Sequence, residues 1–252
     1  DYTSVFKLEE PDYLKITMFL KNQTRDDTYN RNKIPVFMED PEARFFFDEI
    51  FNYWITKAPE LAIIRNYFHL VACSIGANNL KTIFDDPHLM ETSLKSICIF
   101  DGDHEGDIRK STISLPGKKA PEELFFEHAE TILQEDDSTF WRNPDIFNQG
   151  YVKEYYLTEI QPHIIAIKEE YDTKILNEES THGLKRKKNK ALFNKNTQFF
   201  KMVVRNWLGR QENQQSIAYF YNGLQQLFFK TSTPNGIDKK IWNFSYTEMM
   251  NK

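Results

Sequence analysis

The chain has 252 residues, of which 40% are hydrophobic and 27% charged, with a formal net charge of -5. This is enough apolar material for one large domain or two small ones, and it excludes disorder as the default state. No run reads as a membrane span or a secretory h-region, and an acidic total leaves nucleic-acid binding to local basic patches rather than bulk charge.

In chain order, residues 1–32 carry an apolar run at 13–20 and then a polar stretch, and read as a segment entering from elsewhere. The chain opens on Asp1 rather than methionine, which reads as an excised or processed piece. Alternation of apolar runs and helical spacing then predicts a strand at 34–39, a helix at 42–57, a strand at 67–73 and a helix at 77–85. Strands at 96–101 and 111–115 follow, then a helix at 120–134. Such alternation implies a mainly parallel sheet with helices on both faces. Beyond about 145 the strands stop, and 151–175, 189–208 and 211–229 have helical spacing. The expected organisation is an entering segment 1–32, an α/β domain 33–145 and an all-α extension 146–252. Cys73 and Cys98 lie in apolar runs and read as buried free thiols, in keeping with a cytoplasmic protein.

Chemistry concentrates where the third strand ends, in Ile97-Cys98-Ile99-Phe100-Asp101-Gly102-Asp103-His104-Glu105-Gly106. Residues i and i+2 of an extended segment point the same way, so Asp101 and Asp103 are expected to face one point at the strand's carboxyl end. Open α/β sheets place their ligands there. Two such carboxylates repel unless a cation or proton lies between them, and a hard divalent ion prefers oxygen ligands. The competing reading is a solvated Asp-Gly turn. Glu39 ends the first strand in the same way, before Asp40-Pro41-Glu42-Ala43 opens a helix. If the two strands are parallel neighbours, Glu39, Asp101 and Asp103 share one rim.

With these residues in view, the chain resembles a Toprim domain of the OLD-family nucleases. That family carries a glutamate at one strand end and Asp-x-Asp-x-x-Gly at a later one. Glu39 matches the first, and Asp101, Asp103 and Gly106 match the second. The sequence departs from the family where Asp40 replaces the usual glycine and where Ala43 stands at a position often acidic, for which Glu42 or Asp40 could substitute. The segment Ser114-Leu115-Pro116-Gly117-Lys118-Lys119-Ala120-Pro121-Glu122-Glu123 looks like the one that follows the metal motif in OLD-like, Gabija-type enzymes. The resemblance implies Mg²⁺ (or Mn²⁺) held by Glu39, Asp101 and Asp103, with Glu122 completing a second site and Lys119 stabilising charge on a scissile phosphate. It also implies cleavage of nucleic acid, DNA ahead of RNA, in a phage-defence system with an ABC-type ATPase domain or subunit and homo-oligomeric assembly. No phosphate-binding Gly-x-x-x-x-Gly-Lys-Ser/Thr loop occurs in this chain, so the ATPase lies outside it. The alternative is a catalytically quiet, Toprim-like regulatory or partner-binding module, which Ala43 favours.

A basic tract, Lys185-Arg186-Lys187-Lys188-Asn189-Lys190, precedes Phe193, Phe199, Phe200 and Trp207. Basic residues interleaved with aromatics suit a strand of nucleic acid, with Lys185, Arg186, Lys187, Lys188 and Lys190 on phosphates and rings stacking on bases. An ordinary amphipathic helix with a lysine-rich solvated face gives the same pattern. His69 reads as a core histidine and His104 as a solvent-facing loop residue.

Overall fold

The computed structural model of the chain describes residues 33–90, 95–177, 180 and 183–251. The expected entering segment 1–32 lies outside them.

Four strands form one sheet: β1 (Ile34–Met38), β2 (Phe68–Ala72), β3 (Ile97–Phe100) and β4 (Thr112–Ser114). Their order is β2-β1-β3-β4, with every pair parallel. All residues of β1 and β3 are buried. Coverage on both faces explains why these strands are continuous apolar runs rather than alternating ones. Helix α1 (Pro41–Lys57) joins β1 to β2, and α2 (Ala77–Asp85) leads from β2 towards β3. Pro41 sits where a missing N–H costs nothing, and Glu42 and Lys57 complement the two ends of the helix dipole.

The two helices cover opposite faces. Phe37, Val71, Cys98 and Phe100 pack with Ala77, Leu80 and Phe84 of α2. Phe68 points the other way, against Phe47 and Phe51 of α1. That second face is completed from far along the chain by α7 (Gln214–Ser232), whose buried stripe includes Ile217, Phe220, Tyr221, Leu224, Leu227 and Phe228. Phe220 meets Phe47 and Trp54, Phe228 meets Phe68, and Trp242 stacks edge-on against Phe51 and Phe228.

Contacts therefore group the described residues up to Lys118 with those from Gln215 onward, and Lys119–Gln214 forms a second unit. The division differs from the expected boundary near 145. The helical region after the sheet is split, because α7 and Trp242 fill one face of the sheet while the helices before them pack among themselves.

The second unit is all helical. It holds α3 (Pro121–Gln134), α4 (Gln161–Leu176), α5 (Leu184–Lys195) and α6 (Thr197–Gly209), with shorter helical turns between. The single helix expected over 189–208 is two helices, broken at Asn196. Its buried side chain donates to the Leu192 carbonyl at 2.9 Å and accepts from the Tyr155 hydroxyl at 2.9 Å. Likewise 151–175 contains a π-helical turn at Tyr156–Ile160 just before Pro162. A proline has no N–H for the α-helical bond, so the ladder shifts there. Among the described residues no helix is long and apolar enough to cross a membrane.

Candidate metal centre

The sheet order creates a switch point. The connection from β1 runs to β2 on one side, and the connection from β2 returns to β3 on the other side of β1. The crevice between the carboxyl ends of β1 and β3 is where open α/β sheets bind ligands. Met38 pairs with Ile99. Glu39 and Asp101 thus leave the sheet within one residue of the same level.

Both carboxylates are buried, Asp101 fully and Glu39 to 3% exposure. Asp40 joins them at 5% exposure. One carboxylate oxygen from each of Glu39, Asp40 and Asp101 lies within 4.8 Å of the others. Each is held by local structure. The Glu39 carbonyl accepts from the Ser74 N–H at 2.9 Å, extending the β1–β2 pairing one residue past the strands. Asp40 is the N-cap of α1, and its Oδ1 accepts from the Ala43 N–H at 2.9 Å. Asp101 begins a turn in which its carbonyl accepts from the His104 N–H at 3.1 Å.

That turn redirects Asp103. Same-side projection of i and i+2 requires extended backbone, and the chain bends here instead. The Asp103 side chain is 45% exposed and lies 3.9 Å from Nε2 of His104. It is not one of the clustered acids, whereas Asp40 is. Asp40 had a legible signal, since an aspartate just before a proline at a helix start is a capping residue, and here it directly follows Glu39. His104 stands between Asp103 and Glu39, with Nε2 4.0 Å from Oε2 of Glu39 and its ring against Phe100. Ala43 is fully buried and contributes its backbone N–H to the Asp40 cap.

Gly106 has a steric role. A Cβ placed on it would lie 2.5 Å from the Ile113 Cα and 2.7 Å from the Ile113 nitrogen, so the loop rests on the backbone of β4. The Ser114 hydroxyl donates to the His104 carbonyl, and the Asp107 N–H donates to the Thr112 hydroxyl at 2.7 Å. The loop that carries Asp101 is thereby clamped along its length.

The remaining candidates are not among the three clustered acids. Glu122 is buried in the first turn of α3, in the second unit, outside the clustered acids. Lys119 is ion-paired with Glu127 of α3. Lys118, its neighbour, is exposed and lines a cleft beside the Asp101 loop. In the basic tract, Lys185 pairs with Glu123 at 3.4 Å and Lys188 pairs with Glu170. Phe193, Phe199, Phe200 and Trp207 are buried in the core of the second unit, with Phe193 and Phe200 stacked at 4.9 Å. These rings are core residues and present no face to bases, which removes stacking from that reading. Both cysteines are free. Burial pushes the Cys73 thiol up to about 12 and Cys98 well above its ordinary value, so both stay protonated near neutral pH.

Comparison with models of protein families, with curated proteins and with solved structures finds no match.

Proposed function

We propose that the chain is a divalent-cation-dependent phosphodiesterase acting on nucleic acid, with the cation held at the rim between β1 and β3. The observation that carries this reading is the set of three buried carboxylates with ligand oxygens within 4.8 Å of one another at the sheet's switch point. An all-oxygen donor set of carboxylates converging on one point suits Mg²⁺ or Mn²⁺. The donor set therefore fits the ion. Glu39, Asp40 and Asp101 would hold it, with Asp103 at the mouth of the site. A bound divalent cation supplies Lewis acidity, lowering the pKa of water and offsetting charge on a phosphoryl oxygen.

The chain's own residues then have separable parts. The Asp40 cap and the Asp101 turn hold two carboxylates in place before any ligand arrives, which limits reorganisation. Buried Phe37, Phe100 and Met38 keep water from the inner side of the rim. The resemblance to the Toprim domain of OLD-family nucleases agrees with this chemistry. It extends the reading to DNA as substrate, to a cytoplasmic phage-defence system and to an ABC-type ATPase partner in a homo-oligomeric assembly. Lys187 and its neighbours in α5 would add phosphate contacts.

The second reading is a catalytically quiet, Toprim-like regulatory module. It is favoured by Ala43, which offers no carboxylate, and by the outward turn of Asp103. Nicking of supercoiled plasmid in Mg²⁺ or Mn²⁺ against chelator separates the two. The nuclease reading expects metal-dependent nicking by the wild-type chain and none by Asp101→Asn. Cation binding without any nicking would favour the quiet module.

A further inference from the structure

A cleft of about 860 Å³ opens beside the rim, bounded by the Asp101–Gly106 loop, by β4 with the segment running to Lys118, and by the first turns of α7. Its walls come from the sheet-bearing unit alone. At one end stands His104, whose Nε2 lies 4.0 Å from Oε2 of Glu39, so the cleft borders the candidate metal centre through this side chain. At other points it presents Tyr219, Gln215 and Lys118.

Tyr219 is the unusual element. Its neighbours Phe220 and Tyr221 are fully buried in the core, yet Tyr219 is 71% exposed, the most exposed aromatic ring among the described residues. An aromatic held on a rigid helix over a cleft is a stacking platform for a planar ligand. Gln215 lies one helical turn before it and carries both an amide donor and an acceptor. Lys118 is an exposed cation held by a backbone at φ 58°, directly after Gly117 at φ 103°. A ring face, an amide and a cation around one cavity match a base, a base edge and a phosphate. The volume is that of a small-ligand site, with room for a nucleotide or two and not for a duplex.

We propose that this cleft takes unpaired nucleotides, with a base stacked on Tyr219 and its edge towards Gln215, and a backbone phosphate reached by Lys118. The substrate of the metal centre is then a strand that is single or frayed at the point of cleavage. This rests on the nuclease reading for its purpose, but its binding step stands apart from cleavage.

The test is binding of a single-stranded oligodeoxynucleotide carrying 2-aminopurine, measured by fluorescence in Ca²⁺ with and without unlabelled competitors. Wild-type chain should quench the fluorophore, and a blunt duplex of the same sequence should compete poorly. Tyr219→Ala should weaken binding on the order of tenfold, the usual scale for losing one base–aromatic stack, while Tyr219→Phe stays within about twofold. Circular dichroism checks that the exposed-site variants fold. Equal binding by Tyr219→Ala, full competition by the duplex, or no binding by the wild-type chain would overturn the proposal. Normal strand binding without plasmid nicking would instead overturn the nuclease reading and leave the cleft assignment intact.

Discussion

Gly106 runs so close to Ile113 that a single added carbon would overlap the β4 backbone, 2.5 Å from the Ile113 Cα. The glycine of the Asp-x-Asp-x-x-Gly pattern is thus required by close approach. Its φ is not in the positive region. Gly106→Ala must push the loop off β4, and the movement reaches Asp101 through the clamped turn. We expect a stability loss of about 1–3 kcal/mol, typical of overpacking, together with weaker cation binding. Thermal denaturation with and without Mn²⁺ reads both. An alanine variant with wild-type melting and metal response would show that the loop position does not matter.

Asp40 does two things that substitutions can separate. Asp40→Asn keeps an oxygen to cap α1 but removes a charge from the cluster, whereas Asp40→Ala loses both. Asparagine should leave stability near wild type, and alanine should cost about 1 kcal/mol, the usual value of an N-cap. Both should weaken Mn²⁺ binding. If Asp40→Asn binds the metal as wild type does, Asp40 is only a cap.

The C-terminal part of the sheet-bearing unit makes its own prediction. The Trp242 Nε1–H donates to the Tyr221 hydroxyl at 2.7 Å, and that hydroxyl donates to the Phe244 carbonyl at 3.0 Å, all buried. Tyr221→Phe keeps the ring and strands the indole N–H, which should cost about 1–3 kcal/mol in urea unfolding. A loss within error of zero would mean that water reaches the indole.

Much of this architecture was legible along the chain, and the failures have local causes. Strands β1 and β3 announce themselves because burial on both faces demands unbroken apolar runs. Glu39 and Asp101 followed from strand ends alone. Asp103 stands apart from the three clustered acids because the period of two holds only while the backbone stays extended, and Gly102 allows a turn. The aromatics after the basic tract also suit stacking rings, yet Phe200, Val203, Val204 and Trp207 recur at the spacing that builds the buried face of one helix. That α7 covers the sheet is a pairing between distant parts of the chain, Phe47 with Phe220 and Phe68 with Phe228. No local pattern at Phe220 or Phe228 says which surface they bury against. Tyr219 beside them could have drawn notice as the ring that breaks the stripe.

The helical unit should weaken in mild acid. His128 of α3 is buried, and its Nε2 donates to Oδ1 of Asn206 at 2.8 Å. Burial holds its pKa below the ordinary 6.5, with nearby Arg210 acting in the same direction against the Asn206 bond and Glu135 and Glu212. The folded state therefore binds fewer protons than the unfolded state below that pH. The stability this imidazole contributes is present above about 6.5 and is lost as pH falls, by at most about 1.4 kcal/mol per pH unit. Urea titrations across this range should show the slope, and His128→Gln should flatten it. An unchanged slope in the glutamine variant would assign the effect to another group.

Direct cation binding at the rim bears most heavily on the functional account. Electron paramagnetic resonance of Mn²⁺ titrated with protein counts bound ions without requiring turnover, partner or nucleic acid. The carboxylate cluster predicts saturable binding that Mg²⁺ displaces and that Glu39→Gln or Asp101→Asn weakens at least tenfold (~1.4 kcal/mol). Relief of like-charge repulsion should also leave the metal-free Asp101→Asn protein as stable as wild type or more so. Undiminished Mn²⁺ binding by a folded Asp101→Asn protein, or no binding by the wild-type chain, would contradict it.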